Sequence, residues 1–384
     1  MRIPLPPPPA AALIITTEGV QSLSWHLKYP SLVLVVVAFG CVCSLACKHA
    51  SEPQTDQIPD TTSHAFTWEL TTLGEGSSSI LFDVAIVNDT LAYAVGAIYQ
   101  RDSMGNIDPN AFNMAKWNGV SWQLRRIPFI GPCSAVSYPP IRAIWAFSYH
   151  YVLLTNGGAV VRFDGTNSVM DCRMNPLLAG AINRFYAIDS NNVYAVGNTG
   201  SIVHFDGTSW QGVASGTTLD FKDVYGAQNT QTVDWEVLAI ASQQYQSLSR
   251  RIVRINGLTV EQVADTPINQ PLTTCWFVTG KRYFVAGSGI YEKEHLADST
   301  WLHKSRDITG YYIEAIRGTA INDLFAVGDF GEVLHYSGRT WKSFLLQTRI
   351  GVGAYYAVAM RGNLVIAVGE DSPRAVVAVG KRSQ

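Results

Sequence analysis

The side chains best suited to holding a ligand gather in two insertions. Ala97 to Asn113 reads AIYQRDSMGNIDPNAFN and carries Tyr99, Arg101 and Asp102, while Pro128 to Pro140 reads PFIGPCSAVSYPP and carries Phe129 and Tyr138. Aromatic rings and guanidinium groups offer large contact faces, and Tyr with Arg is the mixture enriched at binding hot spots. Tyr245, Tyr311, Tyr312, Phe330 and Arg349 repeat that mixture further along the chain. Catalytic constellations are harder to find. There is no Ser-His-Asp order, Gly-rich phosphate loop or dinucleotide fingerprint. His204 and His335 lack the HxxH or HExxH spacing of a zinc site, so neither metal nor cofactor is expected. Asp102, Asn106, Asp108 and Asn110 offer oxygen ligands, but they lack the spacing of an EF-hand, with its Gly at the sixth position, and read as a solvated loop. Asp83, Asp223 and Asp329 are the first carboxylates to test if the chain acts on glycosides.

Loops recognise ligands only when a rigid frame positions them, and here the frame is a repeat. Val193 to Trp210 reads VYAVGNTGSIVHFDGTSW, and Leu324 to Trp341 reads LFAVGDFGEVLHYSGRTW. In each copy a β-rich run ends on Gly197 or Gly328, turns, resumes as an alternating run, turns again on Asp206-Gly207 or Ser337-Gly338, and reaches a Trp. That order predicts strand, turn, strand, turn, strand. Equivalent positions fall at Gly96, Thr155, Gly197, Ala241, Gly287, Gly328 and Gly369. After a longer first interval they are spaced by roughly 41 to 46 residues, the length of a four-stranded propeller blade. The seventh unit has only three strands before the chain ends at Gln384. Phe66 to Leu73 (FTWELTTL), ahead of the first unit, is expected to supply the fourth and close the ring, hiding sheet edges that would otherwise invite aggregation. The expected fold is an all-β, seven-bladed propeller over residues 65–384.

These repeats resemble exported bacterial β-propellers of the form Ala-Val-Gly, Gly, His-Phe-Asp-Gly, Trp, a group with Asp-box (sialidase-like) and photosystem-assembly-factor-like members. The turn Asp206 to Trp210 is similar to the sialidase Asp-box but one residue short between Asp and Gly. Arg126-Ile127-Pro128 echoes a sialidase motif but follows the first unit's fourth strand instead of opening the ring. The resemblance implies a surface or periplasmic binding and assembly scaffold. Tryptophans that recur at one repeat position (Trp122, Trp210, Trp301, Trp341) are expected to pack between blades, and His204 and His335 to be structural.

Hydrophobic residues make up 47% of the chain and charged ones 15%, enough for a large core, and a net charge of −2 leaves no basic footprint for nucleic acid. Ser31 to Cys47 (SLVLVVVAFGCVCSLAC) is an apolar run of signal-peptide length. Its end, Ser44-Leu45-Ala46-Cys47, resembles the bacterial lipobox, with Leu one place closer to the Cys than that motif prefers. The resemblance implies lipidation at Cys47, a leader over 1–47 and a polar, Pro-bearing tether over 48–64. Residues 1–30 form an unusually long region ahead of a signal. An exported outer-membrane or cell-surface lipoprotein is expected, with a periplasmic or signal-anchored protein as the alternative. Cys133 and Cys172 are candidates for a disulfide in an oxidising compartment, and Cys275 reads as a buried thiol.

In a propeller the second-to-third-strand loops and the inter-blade loops open on the same face, and both long insertions belong to these classes. The chain therefore reads as a non-enzymatic scaffold that recognises a protein or glycan of the cell envelope through that loop face. The alternative is a sialidase-like hydrolase or lyase with a site in the central funnel.

Overall fold

Each repeat unit folds into one antiparallel four-stranded sheet, and there are seven such sheets. The computed structural model describes residues 61–76, 78–131, 134–243, 249–304 and 308–383; Cys47, Cys133 and Tyr245 lie outside them. The innermost strands of blades 1 to 7 are Ile80–Asn88, Ala143–Ser148, Ile182–Asp189, Phe221–Gln228, Leu272–Val278, Ile313–Ala320 and Gly353–Arg361. Each contacts the next, and the last contacts the first, so they form a closed ring around a central channel. At the tips, Asp206 Oδ1 accepts the N–H groups of Thr208 and Ser209 at 2.9 and 2.8 Å while Gly207 takes φ +91°. That is the Asx-type turn the Asp-Gly pair favours.

Alternating apolar residues on both faces of each sheet pack against the neighbouring sheets. The fourth-strand tryptophans fill these seams as expected: Trp210 joins Leu153 and Val160 of blade 2, and Trp301 joins Leu238 and Ile252 of blade 4. His204 stacks on Tyr194 and bonds Asn192 at 2.8 Å, and fully buried His335 bonds Asp323 at 3.0 Å. Cys275 is buried as a free thiol.

Phe66–Leu73 pairs antiparallel with Arg374–Arg382 over eight residues, from Phe66 opposite Arg382 to Leu73 opposite Ala375. It is the fourth strand of blade 7, and the ring closes as the sequence predicts. The segment before it is docked as well, although 48–64 read as tether. The Thr62 N–H donates to the Ser337 carbonyl at 3.3 Å, and the His64 ring meets His335 Nδ1 at 2.7 Å and Thr340 Oγ1 at 3.0 Å. Burial, then the charges of His335, Lys342 and Arg382, push His64 down to about 4. The unfolded chain, with an ordinary His near pH 6.5, therefore binds the proton first, so this contact stabilises the fold above pH 6.5 and is lost as pH falls towards 4. His64→Gln is expected to flatten the fall of melting temperature between pH 6.5 and 4; an unchanged slope would remove His64 as its source.

Candidate functional site

A β-bulge recurs on the innermost strands. In blade 6, Ile313 pairs with Gly328 and Ala315 with Val327, leaving Glu314 unpaired. The same slip leaves out Phe82, Asn183, Lys222, Thr273 and Tyr356 in blades 1, 3, 4, 5 and 7. The bulge brings two backbones together at the end of the second strand. A Cβ at Gly328 would lie 1.9 Å from the Tyr312 carbonyl oxygen, and one at Gly369 would lie 1.8 Å from that of Ala354. This favours glycine there, which five of the six bulged blades carry; blade 4 makes the same slip with Ala241. Blade 2, whose register is regular at this point, carries Thr155 instead.

An extra residue aims its side chain away from the ladder, and here the bulges point into the channel. Phe82, Asn183, Lys222, Thr273, Glu314 and Tyr356, with Arg142 from blade 2, all line a 410 Å³ cavity at the channel mouth, on the face of the inter-blade loops. A second cavity of 260 Å³ follows beneath it, and Arg184, Lys222 and Glu314 border both. Arg184, from blade 3, reaches across the channel and donates to the carbonyls of Phe82 at 3.0 Å and Tyr356 at 2.9 Å, on blades 1 and 7.

The funnel carboxylates separate by environment. Asp223 accepts Arg317 at 2.6 and 2.9 Å, Thr274 Oγ1 at 2.7 Å and the Cys275 N–H at 3.2 Å. Asp83, at the same position of blade 1, accepts the N–H groups of Val84 and Ile144 at 3.0 Å, and burial raises its carboxyl despite Arg184. Both tie blades together. Glu314 differs: burial first, then the charge of Asp329, pushes its carboxyl up to about 7 against the pull of Arg184 and Lys222. Burial also raises Asp329. A carboxyl that titrates near neutrality can exchange protons or hold a cation at physiological pH.

From the mouth a groove of 730 Å³ runs outward between blades 5 and 6, and Tyr312 lines both. Tyr311 and Phe330 face each other there at 5.5 Å, beside Asp329, Asn269, Gln270 and the Tyr291–His303 stack. Phe330 is 45% exposed on a backbone at φ +56°, held by its N–H to Gly353 and by the Ile350 N–H to its carbonyl. Thr199 has the same φ in blade 3, so the conformation belongs to the turn and the aromatic ring is what sets this copy apart. Exposed Arg349 adjoins the same turn, its Cα lying against Gly331.

Thus Tyr311, Tyr312, Phe330 and Arg349 come together, and Asp329 joins them. The residues of the long insertions sit apart, at blades 1 and 2. Asn113 binds the insertions together, donating to the Ile127 and Pro139 carbonyls and accepting the Ile127 N–H. Tyr99 is half-buried, Tyr138 is exposed, and Arg101 donates to the Gly105 carbonyl. Asp102 caps its own turn through the N–H groups of Met104 and Asn106, and Asp108 is paired with Arg126.

Phe129 corrects the sequence reading. It is 1% exposed, packed with Ile127, Val152 and Met170, because the hairpin of Phe129–Gly131 and Ser134–Ser137 folds back on blade 2. Phe129→Ala is therefore expected to cost about 3–5 kcal/mol of stability, read as a lowered denaturation midpoint. An unchanged midpoint would count against this packing. Cys172 is disulfide-bonded. Glu314 escaped the sequence reading, and the only signal for it was the glycine fourteen residues later that marks a bulge.

No protein-family model matches the chain, and no curated protein matches it by sequence. Solved structures do match. YCF48 bound to D1 peptide superposes with a TM-score of 0.60 at 14% identity, over 83% of this chain and 97% of that one. YCF48 from Cyanidioschyzon merolae gives 0.58 at 13%, over 81% and 98%. A catalytically inactive virginiamycin B lyase from Staphylococcus aureus with Quinupristin gives 0.57 at 10%, over 82% and 99%. At such identities the likeness is one of architecture, shared by a peptide-bound protein and a lyase, and this chain is by that measure a seven-bladed β-propeller.

Proposed function

We propose that this protein is a non-catalytic scaffold of the cell envelope that holds an extended segment of a partner protein across its loop face. The observation that carries the reading is the groove in which Tyr311, Phe330 and Asp329 meet, continuous through Tyr312 with the channel mouth. Exposed aromatics beside a partly apolar cleft give an extended chain side-chain pockets, and nearby polar groups fix its register. A propeller of like architecture has been solved with a peptide bound, which supports a peptide as occupant. Export and lipidation at Cys47 belong to the same proposal and rest on the apolar run Ser31 to Cys47. A single chain anchors weakly, so stable attachment calls for several acyl chains.

The test is a photoreactive phenylalanine analogue placed at position 330 in the native cell, with one at Val120, on the opposite face, as control. A discrete cross-linked protein is expected at position 330, to be lost with Tyr311→Ala. Cross-links equal at both positions would overturn the site. A glycan array on the same purified protein tests the other ligand class.

One observation favours a second reading, a glycoside-active enzyme. Glu314, with its carboxyl near 7, opens into the mouth close to Asp329, and glycoside hydrolysis needs two carboxyls with separated proton affinities. Turnover of a glycan substrate, abolished by Glu314→Gln, would establish that reading in place of the scaffold.

A further inference from the structure

The residues at the channel mouth differ in how far their charges and polar groups are already engaged. Lys222 lies 3.5 Å from Asp220, Arg184 is held by the two carbonyls across the channel, the Asn183 amide donates to Asn198 and Phe221, and Thr273 donates to Ile313. Glu314 alone among the bulge-borne charges has no hydrogen-bond or ion-pair partner among the described residues. Its neighbours on the ring, Tyr356 and Phe82, and Tyr312 just before it in the chain, line the same cavity with aromatic surface. A half-buried carboxylate without a hydrogen-bonded partner, beside aromatic side chains, has room for a cationic donor, even though Arg184 and Lys222 lie near enough to act on it and Arg142 lines the same cavity. A primary ammonium satisfies both features, through charge-assisted hydrogen bonds and cation–π attraction.

We propose that Glu314 is a receptor for a primary ammonium group, either a lysine side chain or a free amino terminus, inserted into the channel mouth by the bound segment. The proposal rests on reading the mouth as a peptide seat, and it names the charge that seat selects. The charged groups acting on Glu314 are Asp329, Arg184 and Lys222, and Arg142 and Asp220 line the same cavity. Asp329 assists a cation; Arg184 and Lys222 oppose it but are held by the carbonyls across the channel and by Asp220, and Arg142 opposes it from blade 2. The ammonium keeps its proton throughout the neutral range, so binding follows ionisation of Glu314. With a carboxyl near 7, affinity is expected to fall about tenfold between pH 8 and 6.

The experiment is calorimetric titration of the full chain with cadaverine, and with Ac-Gly-Lys-Gly-NH2, Gly-Gly-Gly-NH2 and Ac-Gly-norleucine-Gly-NH2. Cadaverine is expected to bind with that pH profile, to lose at least tenfold in affinity with Glu314→Gln, and to keep it with Val120→Ser on the opposite face. Glu314→Gln removes an uncompensated buried charge, and its melting curve checks that it folds. A lysine peptide that outbinds the triglycine assigns the source to a side chain, and the reverse assigns it to an amino terminus. Failure of cadaverine to bind, equal binding to the Gln variant, or a norleucine peptide that binds as well as the lysine one would overturn the ammonium site. Cadaverine binding without any peptide binding would keep the ammonium site and sink the peptide seat.

Discussion

A chain that starts at Gly74, without Phe66–Leu73, is expected to lose cooperative folding and to associate. That strand is the outer edge of blade 7, and its removal strips the partner from all eight paired positions of Arg374–Arg382. The strand left bare is rich in Val and Ala, the composition of a sticky edge. Two aromatics are also lost from the seam with blade 6, where Phe66 lies 5.0 Å from Phe325 and Trp68 lies 5.5 Å from Phe344. Truncating a buried Phe costs about 3–5 kcal/mol, and the half-buried Trp68 adds a smaller loss. The two together approach the lower end of the stability of a typical domain, about 5–15 kcal/mol. Size-exclusion chromatography and calorimetry of the shortened chain against the full one check this: a monomer with an unshifted transition would show that the ring does not depend on its N-terminal strand.

Asp223→Ala is expected to cost about 3–5 kcal/mol, the usual result of leaving a buried partner charge uncompensated. The orphan would be Arg317, which burial works against and Asp223 sustains in its charged form. The carboxylate also anchors Thr274, whose hydroxyl oxygen accepts the Ile316 N–H at 3.0 Å, so one side chain ties blades 4, 5 and 6. Denaturant unfolding measures the loss. Asp83→Ala serves as comparison and should cost less, because its nearest cation, Arg184, lies 3.9 Å away and is held by other acceptors. A loss at Asp83 equal to that at Asp223 would contradict this ranking.

The architecture was legible because most blades carry parts of one phrase: a glycine where two backbones meet, Asp, Asn or Ser before Gly at the tip, and a tryptophan at the seam. Seven copies, with one incomplete, force the first strand to complete the last. The site was legible only in part. Tyr311, Tyr312, Phe330 and Arg349 share a loop face, as their place in the repeat implies, because the frame fixes where those turns emerge. Phe129 was misread because an aromatic in an insertion has no periodicity to say which way it points, and its hairpin turned it into the core of blade 2. Glu314 was invisible for a different reason. A one-residue slip in pairing aims a side chain into the channel without altering the local composition, so the residue reads as one more alternation in a strand.

The guanidinium of Arg184, bonded to carbonyls on the opposite wall of the ring, has a consequence for traffic. Such a crossbar narrows the bore where the upper cavity passes into the lower one. A segment entering by the upper opening therefore meets a fixed positive charge partway down the bore, at the level shared by the two cavities.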